Sequence, residues 1–567
     1  MAFCLPFQAS VVRKERIIMK KELIHEKHNF VNMRDLIEWA AKTYGEHPAY
    51  SYRVRPSDSE IVKVSFVGLR DDVRALASKL ASMGCTGKHV ALVGKFTYSW
   101  ALTYFAAMSI GAVLVPLDRD WTSEDLAQTI AKAEVRYIIC DSDIKAKAEV
   151  MAASVELAAP VVYIGDAEKG ENSIEALTNE GRAIFEKDSS VYFGAPIDPY
   201  GMSLLVFTSG TTGKGKGVML SQNAILADIT DAIPYIDYSA KTLGVLPPHH
   251  TYGSTVMYVG HAVIGSEIYI SSGIRYVLKE LGEQKPGHLV LVPLYLETFY
   301  RRIMGTIKEQ GKTELVNKMI KVSNGLRKVG IDLRKKLFSS IRAAFGGELK
   351  TAISGGAPIN QEIVDFFDAI GIATLNGYGI TECAPLVAVN RSRRIVNGSV
   401  GAVIDIDSVK IADPNEDGEG EILVKGPNVM IGYYKDEAAT SEAFCEDGYF
   451  RTGDYGKFTK EDGTEQNVEF MYSSDGKYIE DESATGFIKY YKDCKYAFAA
   501  LLPNEGVSVS KYAASLDGDK LNTLLLGAES VALNTSIPKF KTEYSKEMSE
   551  ILCEMGMPTA FDSENAD

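Results

Sequence analysis

Phe207-Thr208-Ser209-Gly210-Thr211-Thr212-Gly213-Lys214-Gly215-Lys216-Gly217-Val218 is the stretch that decides how this 567-residue chain folds. An apolar, strand-like run from Leu204 to Phe207 opens into hydroxyls, glycines and lysines, and a helix-like segment begins near Ser221. Glycines let backbone N–H groups converge on an anion, the hydroxyls donate further hydrogen bonds, and lysine adds a positive point charge. The composition predicts a cradle for a nucleoside triphosphate. Gly210 to Lys216 also satisfies the Walker A spacing, but Gly217 stands where that motif needs Ser or Thr for Mg²⁺. A plain glycine turn is the other alternative, and so dense a Ser/Thr/Gly/Lys run is uncommon in a simple connection.

Four further segments follow. They are Leu246-Pro247-Pro248-His249-His250-Thr251-Tyr252-Gly253, Ser354-Gly355-Gly356-Ala357-Pro358, Tyr378-Gly379-Ile380-Thr381-Glu382 and Arg451-Thr452-Gly453-Asp454. With the glycine-rich loop, and in this order, they resemble the signature motifs of the adenylate-forming superfamily: acyl-CoA synthetases, luciferases and peptide-synthetase adenylation domains. The resemblance implies a layered α/β domain over about residues 29–464 that includes a small β-barrel subdomain. It also implies ATP-dependent activation of a carboxylic acid to an acyl-adenylate and then to acyl-CoA, with ATP, Mg²⁺ and CoA. Charge stabilisation and positioning carry such chemistry.

By the same resemblance, Thr208, Ser209, Gly210, Thr211, Thr212 and Gly213 cradle the β/γ-phosphates with Lys216, and Thr381 contacts the α-phosphate. Glu382 is the Mg²⁺ ligand, a hard oxygen donor. Gly355, Gly356 and Ala357 flank adenine, Tyr378 stacks on it, and Asp454 accepts from the ribose hydroxyls. His250 lies beside the acyl pocket. Gly215 stands where the family usually carries proline, which implies a looser loop with Lys216 and the backbone donors retained. Leu333–Phe338, Ala344–Lys350 and Gly420–Tyr434 resemble the long-chain acyl-CoA synthetase branch.

Composition fits a large globular enzyme: 46% hydrophobic and 24% charged residues, with length for about four domain-sized units. The net charge of −14 argues against a nucleic-acid partner and against electrostatic docking to anionic lipid, while a fatty-acid substrate leaves peripheral membrane contact open. Seven scattered cysteines without a C-x-x-C pair indicate reduced, cytoplasmic thiols. No apolar run has the length of a membrane-spanning helix. Residues 1–28 read as leader or disordered. Lys14-Glu15 can be encoded by a ribosome-binding sequence shortly before Met19, which makes Met19 the expected native start.

From about Asn29 to Lys460, strand-like runs alternate with amphipathic stretches; His89–Val93 and Val113–Leu117 predict buried strands, and Thr122 predicts an N-cap. After Asp454 the resemblance implies a Gly-Arg-x-Lys hinge and a small domain with a catalytic lysine. Neither pattern follows. Instead, residues 465–567 resemble an incomplete α+β piece of a serpin: Val468–Tyr472, Ala497–Gly506, Ser536–Lys541 and Leu552–Phe561 match that family's pattern in order. The chain closes at Asp567, before the position of a serpin's reactive-centre loop, so no protease partner is expected. Asp462-Gly463-Thr464 suits both families. The chain therefore reads as a chimera joined at that word, with ligase activity impaired by the missing domain.

Overall fold

Short apolar runs form strands, capped amphipathic helices connect them, and the computed structural model layers both around two large sheets. The structure describes residues 22–165, 172–208, 215–396, 398–416 and 418–461. Beyond these it describes 465–473, 475–481, 483–490, 497–503, 529–532 and isolated positions between 512 and 523. The chain divides into two compact units, 1–471 and 472–567.

The first sheet runs in the order Gly432–Tyr433, Gly217–Ser221, Met202–Phe207, Val113–Leu117, His89–Val93, Tyr137–Asp141, Val162–Ile164. From Met202–Phe207 onward its neighbours are parallel; the first two strands join antiparallel. The strands read as His89–Val93 and Val113–Leu117 have those bounds, and every residue of the second is buried. Burial on both faces is what a parallel strand between helix layers requires. Thr122 caps the helix Ser123–Lys132, its hydroxyl accepting from Asp125 N at 3.1 Å. That helix buries Leu126 and Ile130 and leaves Gln128 between them to solvent.

Sequence places a helix after the glycine-rich loop, and the helix Gln222–Ala232 does begin there, capped by Ser221. Between loop and helix, however, stands the strand Gly217–Ser221. Val218 and Leu220 are both fully buried, and the five residues pair antiparallel with Met202–Phe207. The loop is therefore the tip of a β-hairpin.

The second sheet runs Ala402–Val403, Leu386–Val389, Ala373–Gly379, Thr351–Ser354, His288–Leu291, Lys241–Gly244, Glu267–Ile270, Pro48–Tyr52, Val62–Ser65. It too is parallel in its middle, from Ala373–Gly379 to Pro48–Tyr52, and antiparallel at its ends.

A third sheet takes the place of the expected β-barrel: Ser408–Ala412, Gly420–Lys425, Phe450–Glu461 and Glu465–Ser473. It is open, with no closed barrel among the described residues. The 12-residue strand Phe450–Glu461 is followed by its next neighbour instead of bringing the chain back to Ser408–Ala412, so the two edges are not joined.

In the unit 472–567 an antiparallel sheet runs Ala497–Pro503, Ala484–Tyr490, Asp475–Glu480, Glu529–Ala532. The strand-like words at Val468–Tyr472 and Ala497–Leu502 fall on strands. Ser536–Lys541, Leu552–Phe561, residues 1–21 and the joint 462–464 lie outside the described residues.

Candidate active site

The first sheet switches from parallel to antiparallel at one edge and the second at both, and Thr208, Lys216, Tyr378, Thr381 and Glu382 lie at two of these switches. In the first sheet, Thr208 leaves the strand Met202–Phe207 and Lys216 enters the strand Gly217–Ser221. Thr208 N donates to Lys216 O at 3.1 Å, closing the neck of the hairpin. Ser209 to Lys214 lie outside the described residues. Gly215 follows so close a path that a Cβ there would stand 2.5 Å from Thr208 O, so this neck is shaped for glycine. Lys132, at the end of its helix, donates from Nζ to Gly215 O at 2.8 Å.

In the second sheet, Tyr378 is the penultimate residue of the strand Ala373–Gly379, and a tight turn carries Thr381 and Glu382 before the chain returns in Leu386–Val389. Ile380 N donates to Pro385 O at 2.8 Å, and a Cβ on Gly379 would stand 2.2 Å from that oxygen. Only glycine fits such an approach. Gly355, Gly356 and Ala357 follow the strand Thr351–Ser354; the ring of Tyr252 lies against Gly355, and its hydroxyl donates to Leu291 O and Ile353 O.

Tyr433, in the outermost strand of the first sheet, connects the two switches. Its hydroxyl donates to Glu382 Oε1 at 2.9 Å, and Lys216 Nζ sits 4.6 Å from its ring centroid. Glu382 is 8% exposed; burial raises its pKa, against the pull of the Tyr433 hydroxyl and the Lys216 charge. Met430 N fixes its carbonyl at 2.7 Å. On the third sheet, Thr452 Oγ1 accepts from Asp454 N at 3.0 Å, and the Asp454 carboxylate accepts from the Tyr378 hydroxyl at 2.7 Å. Burial, and then Asp454, raise the Tyr378 phenol well above its ordinary value. Lys216, Tyr433 and Glu382 thus form one linked group and Tyr378 and Asp454 another. His250 is exposed and its ring lies 4.3 Å from that of His249, whose Nε2 is 3.5 Å from Asp118.

Behind the turn, Asn428 Nδ2 lies within reach of Cys383 O (3.1 Å), Leu386 O (2.9 Å), Asp407 Oδ2 (3.2 Å) and Asp228 Oδ1 (3.4 Å). Two N–H bonds cannot serve four acceptors. Burial pushes Asp407 up to about 8 and Asp228 well above its ordinary value, neither carboxyl having a paired cation among the described residues.

The family model for AMP-binding enzymes matches residues 37–434. The chain belongs to that family. A serpin (serine protease inhibitor) model matches residues 450–567, beginning upstream of the expected joint. Among curated proteins, the chain is similar to the long-chain-fatty-acid–CoA ligase FadD15 of Mycobacterium bovis, with 29% identity covering 79% of each chain. It is also similar to the long-chain-fatty-acid–[acyl-carrier-protein] ligase AEE15 of Arabidopsis thaliana, a chloroplastic protein: 27% identity over 74% of this chain and 66% of that one. The structure of ATP-bound MatB from Rhodopseudomonas palustris has the same AMP-binding fold, with a TM-score of 0.61 at 20% identity, covering 86% of this chain and 93% of that one.

For this AMP-binding enzyme, sequence reasoning passed over Tyr433, Lys132 and the Asp228–Asp407 pair. The Gly432-Tyr433-Tyr434 word was visible, but its tie to Glu382 depends on Gly432 pairing with Met219 across the chain, which no local spacing signals.

Proposed function

We propose that this chain activates a long-chain fatty acid with Mg²⁺-ATP and passes the acyl group to CoA. The observation that carries the reading is the linkage Lys216–Tyr433–Glu382 beside Tyr378–Asp454, charges and acceptors placed for phosphates, a cation and a ribose. In the first step the acid's carboxylate oxygen bonds to the α-phosphorus of ATP. The bond to the bridging oxygen breaks, and pyrophosphate leaves with its electrons. Lys216 stabilises the leaving phosphates, Thr381 orients the α-phosphate, and the loop 208–213 supplies backbone donors. Asp454 and Tyr378 hold ribose and adenine, and Gly355–Ala357 leave room for the base. In the second step the CoA sulfur attacks the acyl carbonyl and loses its proton as AMP departs.

Glu382 suits Mg²⁺ as a hard carboxylate ligand at the site's edge. Among the described residues no group of three His, Cys, Asp or Glu could hold a metal alone, which fits an ion that arrives on substrate phosphates. Bound there, Mg²⁺ would neutralise charge on the phosphate oxygens.

The segment after Asp454 supports a second part of the reading. A serpin model matches there, so full turnover to acyl-CoA is expected to be absent or very slow, the loss of one positioned charge alone costing about 10²–10³. Two family models in succession also support a fusion origin, and the four free thiols among the described cysteines accord with a cytoplasmic setting. The serpin match favours a protease-inhibitor module as the alternative, which a covalent complex with a serine protease would establish.

Incubation with α-labelled ATP, Mg²⁺ and fatty acids of graded length tests the main reading. Labelled acyl-adenylate that depends on Lys216 is expected; equal label with Lys216→Ala, or none with any acid, overturns it. A chain cut after residue 464 should still bind ATP. Sequencing reads that fail to span codons 455–475 in the source DNA would refute a genuine fusion.

A further inference from the structure

Net charge hides a local exception. The helix Thr313–Arg327 buries Val316 and Ser323 and is followed by a turn in which Val329 N and Ile331 N both donate to Leu326 O. The turn is ordered, yet it holds its apolar side chains outward: Val329 is 71% exposed, Ile331 47% and Leu333 37%. On the helix, Leu315 and Val322, spaced i and i+7 along one face, are 53% and 59% exposed. Of fifteen exposed large apolar side chains among the described residues, five fall within these nineteen positions. A cluster of that kind marks an interaction site more than ordinary surface scatter does.

The charge around it is predominantly positive: Glu314 and Asp332 are its exposed acids, and Asp332 is paired with Arg334. Lys318, Lys321, Lys328, Lys335 and Lys336 are exposed, and among the described residues none of them forms an ion pair. The neighbouring arginines are already committed, Arg327 to Asp368 and Arg334 to Asp332 and Asp368. We propose that this helix and turn form a face that docks on an anionic lipid surface. The aliphatic side chains enter the headgroup boundary while the lysines reach back to lipid phosphates. A protein partner fits less well, because protein interfaces favour aromatic residues and arginine and are depleted in lysine, the opposite of this face.

The inference stands apart from the ATP chemistry, since binding to vesicles is read without nucleotide. The test is sedimentation of the full chain with vesicles of phosphatidylcholine alone or doped with phosphatidylglycerol, at low and high salt. Binding only to the doped vesicles, released by salt, is expected. Lys335→Gln with Lys336→Gln should weaken partitioning about thirtyfold, at about fivefold per lysine. Val329→Glu with Ile331→Glu should abolish it while leaving the melting temperature unchanged, since both side chains are already exposed. Failure to bind doped vesicles, equal binding to neutral ones, or indifference to both variants overturns the proposal. Retention on immobilised polyglutamate that both variants reduce, without vesicle binding, would assign the face to an acidic protein instead.

Discussion

Two of the places where a parallel sheet turns antiparallel, the neck at Thr208–Lys216 and the turn Thr381–Cys383, are built differently. At the Thr208–Lys216 neck, Lys216 is held by a ring contact and by a backbone bond braced from outside by Lys132. At the Thr381–Cys383 turn, Glu382 and Cys383 are buried, backbone bonds close the turn on both sides, and glycine is forced by a carbonyl a Cβ could not approach. One switch leaves its charged side chain exposed; the other buries its carboxylate.

The sharpest way to break the contrast is at Lys216. Lys216→Ala should lower adenylate formation by about 10²–10³ with little change in melting temperature, because the loss falls on phosphate charge rather than packing. Equal stability and equal activity would refute the assignment. At the rigid switch the pattern should invert. Gly379→Ala is expected to cost about 1–3 kcal/mol of stability by forcing the backbone away from Pro385 O, read as a lowered melting temperature, with activity lost as a consequence.

The carboxyl pair behind the rigid turn gives a pH test. Asp407 has its folded pKa raised to about 8 from an unfolded 3.8, so between those values the native state binds more proton than the unfolded chain. Stability should therefore fall as pH rises from about 4 to about 8 and level off above. Asp407→Asn, which is neutral throughout, should flatten that slope and be relatively more stable at alkaline pH, by about 2 °C for each kcal/mol recovered. Parallel slopes for both proteins in thermal melts would discard the raised pKa. The smallest effect belongs to Tyr378→Phe, which removes the hydroxyl bond to Asp454 and keeps the ring. ATP affinity measured by calorimetry should drop by about 1 kcal/mol, and less than for Asp454→Ala.

What could be read in advance follows how far apart the interacting residues are in sequence. His89–Val93, Val113–Leu117 and the cap at Thr122 depend on local pattern and keep the bounds expected of them. Motif order named the family whose model matches residues 37–434. The strand Gly217–Ser221 escaped notice because a glycine and a serine at its ends look like loop and cap, and only pairing reveals it. The expected barrel failed on a global property, closure, that no single strand encodes. Asp228 and Asp407 went unseen for the same reason: each is an ordinary acid in sequence, and burial beside one amide makes them unusual.

The pairing of Gly432–Tyr433 with Met219–Val218 also sets an order of events in time. The hairpin 202–221 closes over a short loop and can form early, whereas Tyr433 must return across roughly two hundred residues, a closure whose entropy is recovered only when the intervening sheets are in place. The clamp on Lys216 and Glu382 is thus among the last contacts to form, so acquisition of nucleotide affinity during refolding should lag behind the recovery of helix content.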